Sequence, residues 1–299
     1  MIGFNGGLIG GLPTARATST APTVPGVWTL PEQRNAKYAL LWPTSGLKLL
    51  DAYPGAAAAY SLRSLSNSYT GNLITVRRSS DSTTQSFTQQ GIEDGSLVTF
   101  CGAGNGFITT WFDQSGNGNN ATQSTTSIQP QIVTTGVVDK VNSNKPCLTY
   151  GGNGDFNLNM TTRRTDIVSV FEVLKVDYGT TSNATSFILG DSALNNYASS
   201  ENGTGSWLDS GQASAAVRNG SNRINNVIAN FTTTPKTTNP TLISMIHAGT
   251  AAVSQITQDR TQANRSLRGR MQEIILYSSA QTANVAGINA DINTYYSIY

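Results

Sequence analysis

Residues 100–123 read FCGAGNGFITTWFDQSGNGNNATQ. The core of this stretch, Gly106 to Asp113, alternates and is rich in β-branched and aromatic side chains, which suits a strand on a half-buried surface. Gly-Asn-Gly before it and Gln-Ser-Gly-Asn-Gly-Asn-Asn after it are turn chemistry. One strand held between two tight turns is the unit of an antiparallel β protein. The pattern recurs outward in both directions. LITVRRS, LVTFC, QPQIVTTGVV, PCLTY, DIVSVFEVLKV, TSFILG, RINNVIANF, TLISMIHAG and RMQEIILY all read as strands. Composition agrees. The 299 residues include 31 Ser, 38 Thr and 27 Asn with 29 Gly, while charged residues are only 12%. That mixture excludes a coiled coil or helical bundle, which draws on Ala, Glu, Lys and Leu.

Two helices are expected. In LKLLDAYPGAAAAYSLRSL a short strand leads to a turn at Pro54-Gly55, and Ala58, Leu62 and Leu65 then recur at helical spacing. Near the end, Val285, Ile288, Ile292 and Tyr295 do the same. The fold class is therefore all-β, a two-sheet antiparallel sandwich with two short helices and an extended N-terminal arm. The arm and its collar are residues 1–45, rich in Gly, Pro, Thr and Ala, and the sandwich is 46–299. Met1, Ile2, Phe4, Leu8 and Ile9 form an apolar tip and Trp28 sits in the collar, so the arm reads as a segment that orders on a neighbouring subunit.

Several chemistries are excluded. Net charge is +2 with no basic stripe, which argues against nucleic acid. No run of 18 apolar residues supports membrane insertion, and no basic-then-apolar leader marks a signal peptide. The single histidine, His247, lies in the alternating LISMIHAGT and reads as a packed strand residue. No metal site or cofactor is expected. Cys101 and Cys147 read as free thiols, with one disulfide as the alternative.

Three blocks carry a resemblance: AYSLRSLSNSYTGNLITVRRSSD at 59–81, the stretch at 100–123, and GRMQEIILYSSAQTANVAGINADINTYY at 269–296. In series they resemble the catalytic domain of the fungal-type α-L-arabinofuranosidase B family, over roughly residues 47–299. The resemblance implies a concanavalin A-like jelly roll. Within the blocks, Arg77 and Arg78 form a strand pair, with Asp81 and Asp113 as partners for their guanidiniums. Asp113 also ends a strand where it can accept backbone N–H bonds, so these four read as structural.

The family's catalytic residues match less well. Its nucleophilic glutamate lies in a segment resembling Ala215–Gly220, where Arg218 stands in the glutamate's place and Ala216 in an aspartate's. Glu201-Asn202-Gly203 is a competing match that restores a carboxylate. Asp259 is the nearest counterpart of the acid, and only Gly190-Asp191 remains where the family has a cysteine pair. Asp191 with Glu201, and Asp209 with Glu201, are residual pairs. No catalytic residue is assigned on this reading, and the chain is expected not to be an enzyme.

MIGFNGGLIGGL followed by VWTLPEQ resembles the arms of virion proteins in cyanophage-like tailed phages. The expected function is thus a phage virion surface protein, as a fibre, tail appendage or capsid decoration. It is made in the host cytoplasm and docks on other virion proteins through its arm. Host-surface glycans are a further partner, and a homo-oligomer is compatible. Trp207 and Tyr197, with Asn202 and Asn219, are the glycan-binding candidates, aromatic faces and amides being what sugars use. The alternatives are a carbohydrate-binding module without a virion role and an active arabinofuranosidase-like glycosidase.

Overall fold

The structure, a computed structural model, describes residues 46–151, 155–177, 187–199, 205–258, 260, 262 and 265–299. The arm residues Met1, Ile2, Phe4, Leu8, Ile9 and Trp28 lie outside the described residues, and the fold below is that of Leu49–Tyr299.

The chain is mostly strand. β1 (Ala56–Ser61), β2 (Ile74–Arg78), β3 (Thr84–Phe87), β4 (Gly106–Trp111), β5 (Ala121–Thr122) and β6 (Gln131–Thr134) fill its first half. Four short pieces follow: β7 (Val137–Val138), β8 (Lys140–Val141), β9 (Lys145–Pro146) and β10 (Leu148–Tyr150). Then come the long β11 (Leu158–Val176), β12 (Leu189–Gly190), the hairpin β13 (Ser221–Ile224) with β14 (Val227–Ile228), the long β15 (Thr241–Ile256) and β16 (Gly269–Tyr277). All pairings among them are antiparallel.

The main path runs β1-β16-β10-β6-β4-β5-β11-β15-β13-β14, and β16 also pairs with β11, which closes part of the path into a ring. Three register shifts between Asn159 and Ser169 let β11 bend. Its start pairs with β5 and its end with β16, while β15 runs beside it from Leu158 to Leu174, so one strand serves both layers. Residues of the two faces alternate. Val170, Leu174 and Val176 enter the larger core with Ile274, Leu276 and Met245. Phe171 and Val173 point the other way and pack with Tyr277, Ile288 and Ile292. Strands covered on both faces read as near-continuous apolar runs, which is why DIVSVFEVLKV and QEIILY look as they do.

The sequence reading needs correction at three elements. LKLL was expected as a strand and AAAAYSLRSL as a helix; the order is the reverse. Leu49–Ala52 form the one-turn helix α1, and Ala56–Ser61 form β1, buried at all six positions. Alanine's helix propensity is worth a fraction of a kcal/mol per residue. Here small side chains on both faces let β1 lie between two packed layers against β16, and tertiary burial wins. LVTFC was expected as a strand, yet Ser96–Cys101 is a helix. Gly95, at φ 92°, turns the chain, and the Asp94 side chain accepts the Ser96 amide. Five α-helices are present among the described residues rather than two helices: α1, α2 (Gln89–Glu93), α3 (Ser96–Cys101), α4 (Ala215–Arg218) and α5 (Val285–Tyr296), with a single 3-10 turn at Thr126–Ile128. Only α5 exceeds two turns, and it covers the outer face of β11, β15 and β16 with Val285, Ile288, Ile292 and Tyr296.

Cys101 and Cys147 are buried free thiols. His247 lies in β15, buried, with Nδ1 3.1 Å from the Ile167 carbonyl.

Candidate functional site

The turn after β4 is built around Asp113. Its carboxylate accepts from the amides of Ala59 (2.8 Å), Ser115 (2.9 Å) and Asn119 (3.0 Å) and from the Ser115 hydroxyl (2.8 Å). Gln114 beside it accepts the Leu65 amide and donates to the carbonyls of Ser61 and Arg63. Arg78 meets Asp81 through two bonds of 2.8 and 2.6 Å, and this pair holds the Asp81 carboxyl far below the usual carboxylate range. Arg77 goes elsewhere than to either aspartate: Nε donates to Gln129 at 2.8 Å. These groups are committed to the scaffold and leave no carboxylate free to work on a substrate.

Residues 187–199 and 205–231 form a layer that packs against β15, and its apolar members join the larger core. Asp191 anchors its start. Arg163 grips it through two bonds of 2.7 and 2.8 Å, and the amides of Ala193 and Leu194 also donate to it. Burial raises the Asp191 pKa, but Arg163 and the two amides outweigh it and the net shift is downward. Asp209 closes a turn by accepting the amides of Gly211 and Gln212. Both carboxylates are taken up by hydrogen bonds that hold their loops.

Tyr197 and Trp207 are each 1% exposed. Trp207 packs on Phe231 and Tyr197 on His247. They present no open aromatic face, so they cannot stack a sugar as expected; both rings fill the core beneath the layer instead. Asn219 is exposed at the end of α4, and Asn202 lies outside the described residues. Asn219 lines a cleft of about 360 Å³ together with Ser210, Arg218, Asn222, Asn230 and Thr232. Ser214 caps α4, and Arg218 Nη1 donates to the Ser210 carbonyl at 2.6 Å, which fixes the guanidinium along the wall. The cleft offers amides, hydroxyls and one cation. Among the described residues no carboxylate lines it, so it is chemically suited to hold sugar hydroxyls rather than to cleave.

Two buried ionisable groups, Glu172 and Lys236, went unnoticed in the sequence; a third, His247, is the packed strand residue that its segment suggested. Glu172 in β11 is fully buried, neither carboxyl oxygen has a hydrogen-bond partner, and burial pushes its pKa up to about 8. It is sealed from solvent and cannot reach a substrate. Its signal was there: a lone Glu inside VSVFEVL, a run buried on both faces. Lys236 is 8% exposed and hydrogen-bonded to Ser199. His247 is held down at about 4 by desolvation, against a smaller opposing effect from the Ile167 carbonyl, so its ring is neutral at pH 7. Among the described residues, no group of three His, Cys, Asp or Glu could hold a metal, and no helix is long and apolar enough to cross a membrane.

Glu201 and Asp259, the two carboxylates that the sequence offered as counterparts of a nucleophile and an acid, lie outside the described residues.

The family model of the α-L-arabinofuranosidase B catalytic domain matches residues 51–169. Three solved structures resemble the chain, each at 16% identity over 83% of this chain and 64% of the other. One is an arabinofuranosidase complexed with arabinofuranosyl-α-1,2-xylobiose (TM-score 0.48). The second is a Glu-to-Gln mutant of a GH54 α-L-arabinofuranosidase soaked with 4-nitrophenyl α-L-arabinofuranoside (0.52). The third is a GH54 α-L-arabinofuranosidase soaked with a cyclic sulfate inhibitor (0.48). The second likeness shows a shared β-rich fold. The chain thus spans just under two thirds of the length of these structures. No curated protein matches it.

These findings correct the functional expectation. A virion surface protein without enzymatic activity was expected; the family match instead points to a glycoside hydrolase catalytic domain. The middle of the chain had weighed against that reading because Arg218 replaces a glutamate, but the match rests on the first half, where the motifs are scaffold.

Proposed function

We propose that this chain is an arabinofuranosidase-like glycoside hydrolase domain built on a concanavalin A-like jelly roll, acting on α-L-arabinofuranosyl groups of a polysaccharide. The observation that carries the reading is the family match over residues 51–169.

Hydrolysis of a glycoside needs one carboxylate to attack or to activate water and one carboxylic acid to protonate the leaving oxygen. Asp113, Asp191 and Asp209 are engaged in holding loops, Glu273 is locked to Arg63, and Glu172 is sealed in the core. From the resemblance of Glu201-Asn202-Gly203 to the family's nucleophile segment, and of Asp259 to its acid, the proposal takes Glu201 as the nucleophile and Asp259 as the acid. The amide-lined cleft at Asn219, Asn222 and Asn230 supplies hydroxyl contacts for a neighbouring sugar.

The test is release of L-arabinose from arabinan and arabinoxylan by the purified chain and by E201Q and D259N. Wild-type release, with a loss on the order of 10²-fold or more in either variant, supports the assignment. Full activity in both variants refutes these two residues, and no release by the wild type refutes the enzyme.

A second reading has one observation in its favour. Arg218 faces a cleft without carboxylates, which fits a carbohydrate-binding module. Retention of the chain on a polysaccharide it does not cleave would select that reading.

A further inference from the structure

The cleft beside α4 carries a charge that the proposed function leaves unused. Its volume is about 360 Å³, within the range of small-molecule sites, and α4, β13 and the segment after β14 line it. The mouth is open, for Ser210, Asn219, Ile228 and Asn230 on its rim are all exposed. Arg218 stands half-buried in the wall. Its Nη1 is anchored on the Ser210 carbonyl at 2.6 Å, while Nε has no partner. Among the described residues no carboxylate lines the cleft. Asp209, next to Ser210 in sequence, turns Oδ1 onto the amides of Gly211 and Gln212 instead. Asn222 is the most buried residue of the lining, at 2% exposed. Its Nδ2 donates to the Val217 carbonyl at 3.3 Å, and its Oδ1 has no partner. At the rim the Asn230 Oδ1 accepts from the amide and hydroxyl of Thr232, at 3.0 and 2.8 Å, which holds that side chain with Nδ2 left over. Polar groups set this deep are normally satisfied. An unpaired acceptor below and an unpaired cation in the wall call for a ligand that brings both hydroxyls and an anion. A neutral sugar meets the amides and leaves the guanidinium without a counter-charge. Inorganic phosphate meets the guanidinium and brings no ring of hydroxyls. A sugar acid supplies both, and its planar carboxylate matches the guanidinium fork.

We propose that this cleft holds a hexuronate unit of an acidic polysaccharide, with the uronate carboxylate on Arg218 and the ring hydroxyls on the amides of Asn219, Asn222 and Asn230. The inference rests on the reading of the domain as one that engages a polysaccharide, and it names the charge of that polysaccharide. The uronate is held and not cleaved, because no described carboxylate is at hand to break a bond to it. The guanidinium lies in a cleft open to solvent, so added salt weakens the contact.

The experiment titrates the full chain at low salt with trigalacturonate and with its fully methyl-esterified form, by isothermal calorimetry, and repeats the acid with R218M and R218K. The expected result is binding of the acid by the wild type, weaker by about tenfold or more for the ester and for R218M. R218K falls between, since lysine keeps the charge and loses the fork. No binding of the acid by the wild type, equal affinity for acid and ester, or unchanged affinity in R218M would overturn the proposal. So would displacement of the acid by an equal concentration of inorganic phosphate, which would reduce the site to one for any anion. The comparison of acid with ester uses the wild type alone, so it decides even where a substitution fails to fold. Cleavage of an arabinofuranoside is a separate reading. A chain that cleaves it and ignores trigalacturonate sinks this inference and spares the glycosidase; a chain that binds trigalacturonate and cleaves nothing does the reverse.

Discussion

Asp113 accepts a 2.8 Å hydrogen bond from the amide of Ala59, 54 residues earlier, and so ties the turn after β4 to β1. The same carboxylate holds the amides of Ser115 and Asn119. Removing it leaves three amides without an acceptor, two of them in buried surroundings. D113A should therefore lose about 3–5 kcal/mol of unfolding free energy, and D113N less, since an amide oxygen still accepts. Chemical denaturation measures both. A loss below 1 kcal/mol in D113A would show that the turn does not depend on this group.

Arg63 and Glu273 make a second long-range tie, with two bonds of 2.8 and 3.0 Å between groups that are almost wholly buried. Ser61 and Tyr296 also reach Glu273, and Arg63 bonds Asp291. Removing one partner strands a buried charge, so R63M should cost about 3–5 kcal/mol. The double variant R63M/E273L should cost clearly less than the sum of the singles, because Glu273 is no longer left as a buried unpaired charge, while Asp291 loses Arg63 in both R63M and the double variant. Additive losses in a double-mutant cycle would contradict this.

Glu172 predicts a pH dependence with a definite sign. Its pKa rises from 4.5 to about 8 on folding, through burial alone. The folded state therefore holds a proton that the unfolded chain gives up. Its contribution to stability is complete below pH 4.5 and is lost as pH climbs toward 8, by up to roughly 5 kcal/mol. Between pH 5 and 8 the melting temperature of the wild type should fall relative to that of E172Q. Parallel curves for the two proteins would refute the buried carboxyl.

Much of this architecture was legible in the residues, and the reasons differ by element. Strand β4 and its turn could be read because Gly-Asn-Gly, FITTW and Asp-Gln-Ser-Gly put local propensity and tertiary role in agreement. The stripe of Val285, Ile288 and Ile292 could be read because α5 covers a sheet on one side only. β1 could not, because AAAAYS carries helix propensity and its strand state depends on β16, more than 200 residues away. The site was harder. Trp207 and Tyr197 were attractive as exposed aromatics in a polar stretch, yet that stretch folds as a cover over β15 and turns its rings inward.

The central claim concerns the bond that the domain breaks. The most direct measurement is the initial rate of 4-nitrophenol release from 4-nitrophenyl α-L-arabinofuranoside by the purified chain, with E201Q alongside. The account predicts release well above the buffer rate by the wild type and its near-complete loss in E201Q. A wild-type rate equal to buffer, from protein that melts cooperatively, would contradict it.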